Sequence, residues 1–88
     1  MTTTIDFIRA TIAEHEGSPL RLRAVLGGSA ALWWEMYGVR WDAVIVDGDV
    51  KVTCDAVPDV VVEASVEVAD PAFRAAFLAL VLRCQHPG

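Results

Sequence analysis

Apolar and polar residues alternate most regularly in the middle of the chain, on both sides of Asp47-Gly48. The flanking runs are VRWDAVIV and DVKVTCDA. Asp-Gly readily adopts the two positive φ angles of a tight hairpin turn, whose twist matches that of the strands it joins. The pattern therefore predicts strands at about 39–47 and 50–56. With this loop, the apolar cross-strand pairs are Ile45 with Val50, Ala43 with Val52, and Trp41 with Cys54.

A third alternating run, VVVEASVEV, follows Pro58-Asp59 and predicts a strand at about 60–68. A short loop before this strand would place Val52 opposite Ala64. The apolar face of the third strand then continues that of the hairpin. We therefore predict a three-stranded antiparallel meander.

Two segments at the ends of the chain have clear helix signals. Thr3 is followed by Asp6 and by isoleucines at helical spacing, and Gly17 ends this first helix. Asp70-Pro71 opens the last helix, at about 71–85, because aspartate is a good N-cap and proline fits the first helical position. The expected core face of the last helix contains Phe73, Phe77, Leu80, Val81 and Cys84.

The segment between the first helix and the hairpin is ambiguous. Residues 18–26 alternate as a strand would, but Ser18-Pro19 is a good helix opening and the apolar residues also form a helical stripe. We favour a helix there and keep a strand as the alternative. After Gly27-Gly28, Ser29 can cap a further helix that runs through AALWWEMY and ends at Gly38.

These elements together predict a single small α+β domain over residues 1–88. The meander is packed on one face by the N-terminal helices and by the C-terminal helix. A chain of 88 residues suits one domain, and 55% hydrophobic residues argue against disorder.

The predicted helices carry more apolar surface than one sheet face can bury. Trp33 and Trp34 lie about 100° apart on a helical wheel, so a narrow core stripe cannot hold both. Leu78 and Leu82 lie on the reverse side of the last helix. We take these four as interface candidates. They indicate a non-enzymatic protein-interaction module, whose partner is another protein or a second copy in a homodimer.

Charge and composition limit the partner and the compartment. The net charge is −5, and one lysine and six arginines are scattered along the sequence, so direct nucleic-acid binding is not expected. An acidic decoy of a nucleic-acid-binding host protein is an alternative, with a surface formed by Asp42, Asp55, Glu63 and Glu67. We see no signal peptide, no membrane-length apolar segment and no disulfide framework. A cytoplasmic location is therefore expected.

The composition also suggests a source. Many arginines, alanines and valines with a single lysine are typical of a high-GC genome. In addition, TIDFIRATIAEHE resembles the first helix of small actinobacterial and actinophage proteins. Together these features point to an actinobacterium or its phage.

Residue types used in catalysis and metal binding are few. His15 and His86 lie near a helix end and in the C-terminal tail, and neither belongs to a metal-binding motif. Cys54 and Cys84 are thirty residues apart and form no CxxC motif. We therefore expect no catalytic residue, no metal and no cofactor.

One segment resembles the opening of minimal nucleotidyltransferase domains. VLGGSAALWWEMYGVRWDAVIV, residues 25–46, has a Gly-Gly-Ser turn before an expected helix, then an arginine and a strand with an aspartate. In that family the turn holds nucleotide phosphates at a helix N-terminus, and paired aspartates hold Mg²⁺. The resemblance implies that Asp42 is the first metal ligand and that the phosphate turn is Gly27, Gly28 and Ser29. Val44 stands at the second ligand position, so the implied alternative is a nucleotide-binding relative without transferase activity.

Overall fold

The computed structural model describes residues 2–85, which form two helices and five strands. In chain order these are α1 (Thr4–Glu14), β1 (Arg21–Leu26), β2 (Ser29–Met36), β3 (Val39–Val46), β4 (Asp49–Cys54), β5 (Val62–Ser65) and α2 (Pro71–Gln85). Every strand pairs antiparallel with the next one, so the sheet is a meander in the order β1-β2-β3-β4-β5. The fold is α+β, because the buried residues of both helices share one core cluster with the sheet.

Three two-residue turns connect the first four strands: Gly27-Gly28, Tyr37-Gly38 and Asp47-Gly48. Tyr37 and Asp47 have φ angles of 57° and 52°, and the glycines that follow them have φ angles of 71° and 80°. Two consecutive positive φ angles are typical of the type I′ turn, whose twist suits a hairpin. The predicted Asp47-Gly48 turn is confirmed.

The predicted register between β3 and β4 is also confirmed. The apolar pairs are Trp41 with Cys54, Ala43 with Val52, and Ile45 with Val50. On the other face Asp42 lies opposite Thr53, so no like charges are directly opposed. Turn type and alternation together fixed this half of the sheet.

Two predicted helices are strands in the structure. Residues 18–26, for which we favoured a helix, contain β1, and the helix expected after Ser29 is β2. Both helix predictions are wrong, and the sheet has five strands rather than three. In β2, Trp34 is fully buried while Trp33 lies on the opposite face. A strand accommodates the two adjacent tryptophans because it directs them to opposite faces, which a helix cannot do.

The strand predicted at about 60–68 is shorter than expected and shifted in register. β5 has four residues, and Val52 pairs with Val62, two residues earlier in the segment than predicted. The connection is longer because it contains a turn, in which the Val57 N–H donates to the Cys54 carbonyl at 3.2 Å. A shift of two residues keeps the apolar residues on the same face. The alternation therefore predicted the buried face correctly, whereas the predicted loop was too short.

Both helices begin as predicted. The Thr3 side chain accepts a hydrogen bond from the Asp6 N–H at 3.1 Å, and the Asp70 carboxylate accepts one from the Phe73 N–H at 2.9 Å. These caps satisfy backbone donors that a helix start leaves unpaired. Within residues 2–85, neither helix has the length and apolar composition needed to span a membrane.

The core lies between the helices and one face of the sheet. Trp34 and Trp41 stack with ring centroids 5.9 Å apart, and Phe77 meets both rings edge to face. The expected core face of α2 is buried in full: Phe73, Phe77, Leu80, Val81 and Cys84. We call the sheet face that carries Trp34 and Trp41 the inner face, and the face that carries Trp33 the outer face.

Candidate interaction surface

β1 is the exposed edge of the sheet. It pairs with β2 along one side, and no described strand lies along its other side. All six of its residues are exposed, and Leu22, Val25 and Leu26 keep 62%, 62% and 77% of their accessible surface. Along such an edge, the N–H and C=O groups of alternate residues have no partner in the sheet. An exposed apolar edge of this kind is a template for pairing with another strand.

The residues of β1 project to both faces of the sheet. Leu22 and Val25 lie opposite inner-face residues of β2, so both are on the inner face, beyond the cover of the helices. Arg21 lies opposite Trp33 and is therefore on the outer face. β1 thus presents apolar side chains on the inner face, and on the outer face it presents charge near its start and the exposed Leu26 at its end.

An irregularity in β1 adds a second charge to the outer face. The register shifts between Leu22 and Ala24, which makes Arg23 an extra residue in this strand. Its guanidinium lies 3.9 Å from the Asp42 carboxylate on β3, on the outer face. The bulge therefore directs a second arginine toward the side on which Arg21 already lies.

Trp33 lies between two arginines on the outer face. The guanidinium carbons of Arg21 and Arg40 are 5.3 and 4.7 Å from the centroid of its ring, within cation–π range. Arg40 also lies 3.5 Å from the carboxylate that Arg23 reaches. We call this group the arginine–tryptophan cluster: Arg21, Arg23, Trp33, Arg40 and Asp42.

The arginines of the cluster come from β1 and β3, on the two sides of Trp33. Three of the six arginines, scattered in the sequence, are brought together here by the meander. The nearby carboxylates lie further in: Asp42 is on β3, and Glu35, opposite Arg40, is on β2. Arg21 and Arg23 start from the edge strand, and their guanidinium groups lie over Trp33 on β2 and beside Asp42 on β3. An anionic group that approaches the outer face near this edge meets both arginines.

The four predicted interface residues lie in different environments. Trp34 has no exposed surface and is not accessible to a partner, because β2 directs it into the core. Trp33 is half-buried between the arginines of the cluster. Leu78 and Leu82 are exposed, at 39% and 54%. They lie on α2, beside its buried stripe.

The residues of the implied nucleotide site do not come together. The Gly27-Gly28 turn leads into a strand, and the Ser29 hydroxyl donates to the Leu26 carbonyl at 2.9 Å. Trp33 is the cross-strand neighbour of Asp42, so Ser29 and Asp42 are about 13 Å apart along the sheet at the usual rise per residue. The turn also lacks the helix N-terminus at which that family binds phosphate.

The four acidic residues of the decoy alternative also lie in different environments. Asp42 is engaged by two arginines. Asp55, Glu63 and Glu67 are exposed. The exposed acidic residues therefore lie on the β4–β5 side of the molecule, and among them the Asp55 N–H donates to the carbonyl of Arg40 in the cluster at 3.0 Å.

The two cysteines meet in the core although they are distant in sequence. The Sγ atom of Cys54, at the end of β4, lies 3.7 Å from the Sγ atom of Cys84, in the last turn of α2. Both are buried thiols. Burial and the hydrogen bond with Cys54 raise the pKa of Cys84 to about 11, so this thiol is protonated at neutral pH. No sequence motif indicated this proximity.

The histidines form no metal site in the described part of the chain. His15 follows α1, and its Nδ1 atom contacts the Tyr37 hydroxyl. His86 lies outside the described residues. Within residues 2–85, no group of three or more histidine, cysteine or acidic side chains is placed to hold a metal ion.

A cavity of about 380 Å³ lies between α1 and the chain that leads into β1. Its lining residues are Arg9, Ile12, Ala13, Gly17, Pro19 and Leu20. The lining is apolar apart from Arg9, and it reaches the residue immediately before β1. The cavity therefore extends the exposed apolar surface at the start of this strand.

Comparison with known proteins finds no matching family model, no similar curated protein and no similar solved structure. Function is therefore inferred from the residues described above. Among the described strands, β1 combines an unpaired edge with exposed apolar residues and adjacent charge.

β1 was not predicted as a surface because a helix was favoured at 18–26. One signal could have identified the strand. Gly28, Gly38 and Gly48 end three turns at intervals of ten residues. Turn signals at regular spacing of about 8–12 residues indicate consecutive short strands.

Proposed function

We propose that this chain is a non-enzymatic protein-interaction module that binds an extended segment of another polypeptide along β1. The observation that carries the proposal is the exposure of the whole edge strand, including Leu22, Val25 and Leu26. Strand addition at a sheet edge is a common mode of peptide recognition, in which backbone hydrogen bonds give affinity and alternate side chains give specificity.

The opposite edge of the sheet, β5, is protected against pairing with another strand. β5 has only four residues, and the start of α1 covers its end. The Thr4 hydroxyl donates to the Ser65 carbonyl, and the Thr4 N–H donates to the Val66 carbonyl at 3.3 Å. A short strand under a helix is poorly available for pairing. β1 has six residues and no such cover, and this contrast supports a binding role.

Val25 is the position at which the edge can be blocked with least damage to the sheet. Leu26 and Ser29 flank a two-residue turn and are expected to exchange backbone hydrogen bonds. The Val25 N–H then points away from β2, because hydrogen-bonded and non-hydrogen-bonded pairs alternate. Proline at Val25 removes that donor and keeps an apolar side chain. Proline at Ala24, whose N–H faces β2, is the matched variant that should unfold the hairpin.

The test is selection of binders from a library of random linear peptides, followed by affinity measurements with each variant. We expect Val25→Pro to melt near wild type and to bind the selected peptides at least tenfold more weakly. Leu82→Glu, on α2, should bind them as wild type does. The proposal is overturned if no peptide is selected, or if binding is lost in Leu82→Glu and kept in Val25→Pro.

The homodimer expected from the sequence is examined with the same variants. A second copy would be one possible polypeptide at β1. Sedimentation of wild type as a dimer and of Val25→Pro as a monomer would assign the edge to self-pairing and support the proposal. A dimer that persists in Val25→Pro would place self-association elsewhere and count against it.

A further inference from the structure

We infer that the segment bound at β1 is an extended strand in which apolar and acidic residues alternate. This inference depends on the proposed function and adds the chemistry of the partner. It follows from the two faces of β1, which present different side chains to any strand that pairs beside them.

The inner face specifies the apolar positions. Side chains of an added strand project alternately to the two sheet faces. Those on the inner face would lie beside Leu22 and Val25, both 62% exposed. An apolar side chain there removes apolar surface from water on both partners, whereas a charged one would be desolvated without a counter-charge.

The outer face specifies the acidic positions. Side chains directed to this face near the start of β1 would lie beside Arg21 and Arg23 of the arginine–tryptophan cluster, whereas those near its end would lie beside Leu26. No carboxylate lies within 4 Å of the Arg21 guanidinium in residues 2–85, and Arg23 shares that of Asp42 with Arg40. A guanidinium presents a planar fork of donors that fits a carboxylate. Glutamate or aspartate is therefore the expected residue.

The same arginines explain how an exposed edge can be selective. Charged side chains and bulges on an edge strand discourage indiscriminate pairing. At β1 both devices are present, in Arg21, Arg23 and the bulge. A neutral or basic strand would leave Arg21 without a carboxylate and Arg23 with only a shared one, whereas an acidic strand would be attracted to both.

The chain itself contains an example of the required pattern. Residues 62–67 read Val-Glu-Ala-Ser-Val-Glu, with apolar residues on the inner face and glutamates exposed. In the folded protein this segment is already paired with β4, and its end is bound by Thr4. The pattern is therefore compatible with this sheet geometry, and the partner sought is a segment of another protein with the same alternation.

The test uses fluorescein-labelled heptapeptides with blocked ends, Val-Glu-Val-Glu-Val-Glu-Val and its glutamine and lysine counterparts, titrated by fluorescence anisotropy. We expect the glutamate peptide to bind at least tenfold more tightly than the glutamine peptide, and the lysine peptide to bind most weakly. The preference should weaken as salt concentration rises, because exposed charges are screened.

A charge-exchange variant locates the preference. Arg21→Glu/Arg23→Glu should lose the glutamate peptide and gain the lysine peptide. Arg74→Glu/Arg83→Glu makes the same change in net charge on α2, where both arginines are exposed, and should keep the wild-type order. Circular dichroism checks that both variants are folded.

The possible outcomes separate the two proposals. Equal binding of the glutamate and lysine peptides to wild type, or equal loss in both double variants, would overturn the acidic preference. If the glutamine peptide binds as tightly as the glutamate peptide and Val25→Pro weakens both, strand addition is supported and the preference for acidic residues is rejected. If no peptide is sensitive to Val25→Pro, strand addition itself fails.

Discussion

Oxidation of Cys54 and Cys84 should join β4 to the C-terminal helix and raise the stability of the fold. Their sulfur atoms lie 3.7 Å apart in the core, between elements that the chain otherwise connects only through residues 55–83. A disulfide needs a separation of about 2.05 Å, so the sulfurs must approach by about 1.7 Å. Rotation of the two side chains with a small shift of the last helical turn can supply this.

The magnitude follows from the length of the closed loop. For two cysteines thirty positions apart, restriction of the unfolded chain contributes about 3–4 kcal/mol to the free energy of unfolding. For a domain of this size, each kcal/mol corresponds to a shift in Tm of about 4–8 °C. Strain from the approach of the sulfurs reduces the gain. We therefore expect the oxidised protein to melt at least about 10 °C above the reduced one.

The assay forms the bond during folding, because the thiols are buried in the native state. The reduced, unfolded chain is refolded with glutathione and glutathione disulfide. Each disulfide formed releases two protons and gives two electrons to glutathione disulfide, which becomes two glutathione molecules. Mass spectrometry identifies the product by a mass lower by two hydrogen atoms. Thermal unfolding with and without reductant measures the shift in Tm.

Cys84→Ser is the control, since it keeps a small side chain and cannot form the bond. Its Tm should be the same in oxidising and reducing buffer. An oxidised wild type that melts at or below the reduced form would refute the reasoning. It would mean that strain exceeds the gain from loop closure, or that the two elements are not adjacent.

Three further predictions concern the turns, the tryptophans and the thiol. Gly27 has a φ angle of 59°, so Gly27→Ala should lower the free energy of unfolding in urea by about 1–2 kcal/mol. Gly28 has no positive φ angle and open space around it, so Gly28→Ala should change the same free energy by less than about 0.5 kcal/mol. Trp34→Ala should lose about 3–5 kcal/mol of stability and Trp33→Ala about 1 kcal/mol; equal losses would contradict the assignment of the two faces. The raised pKa of Cys84 means that the folded state holds this proton more tightly than the unfolded state. The stability it contributes is complete below about pH 9 and should fall as pH rises toward about 11, a dependence that Cys84→Ala should reduce in unfolding measured across that range.

The half of the sheet around β3 and β4 could be predicted because several independent signals agree there. The turn requires two positive φ angles, which Asp47-Gly48 provides, and the alternation selects the buried face. Charge then selects between neighbouring registers, because Asp42 avoids a like charge opposite it. The start of α2 was equally clear, since an N-cap aspartate stands directly before a proline.

The failure at AALWWEMY has a physical cause. Alternation is visible only where one face of a strand is polar, and here the outer face carries Ala31 and Trp33. The inner face carries Leu32, Trp34 and Met36, so the run is apolar on both faces as far as Trp34, and Glu35 alone does not reveal its period. On the outer face Trp33 lies between arginines from β1 and β3. Those contacts cross from strand to strand, and a local pattern cannot show them.

The exposure of β1 follows from the balance between helices and strands. Five strands about 4.8 Å apart form a sheet roughly 24 Å wide, and two helices about 10–12 Å in diameter cover roughly 20–24 Å. The strand left uncovered is the one furthest from the points at which the helices are attached. It is β1, because α2 follows β5 in sequence and α1 is anchored to the same edge through Thr4. With three or more helices over three strands, the helices would carry more apolar surface than the sheet can bury. The interaction surface was therefore predicted on the helices. With β1 and β2 as strands, the uncovered surface moves to the sheet edge, beside Arg21 and Arg23.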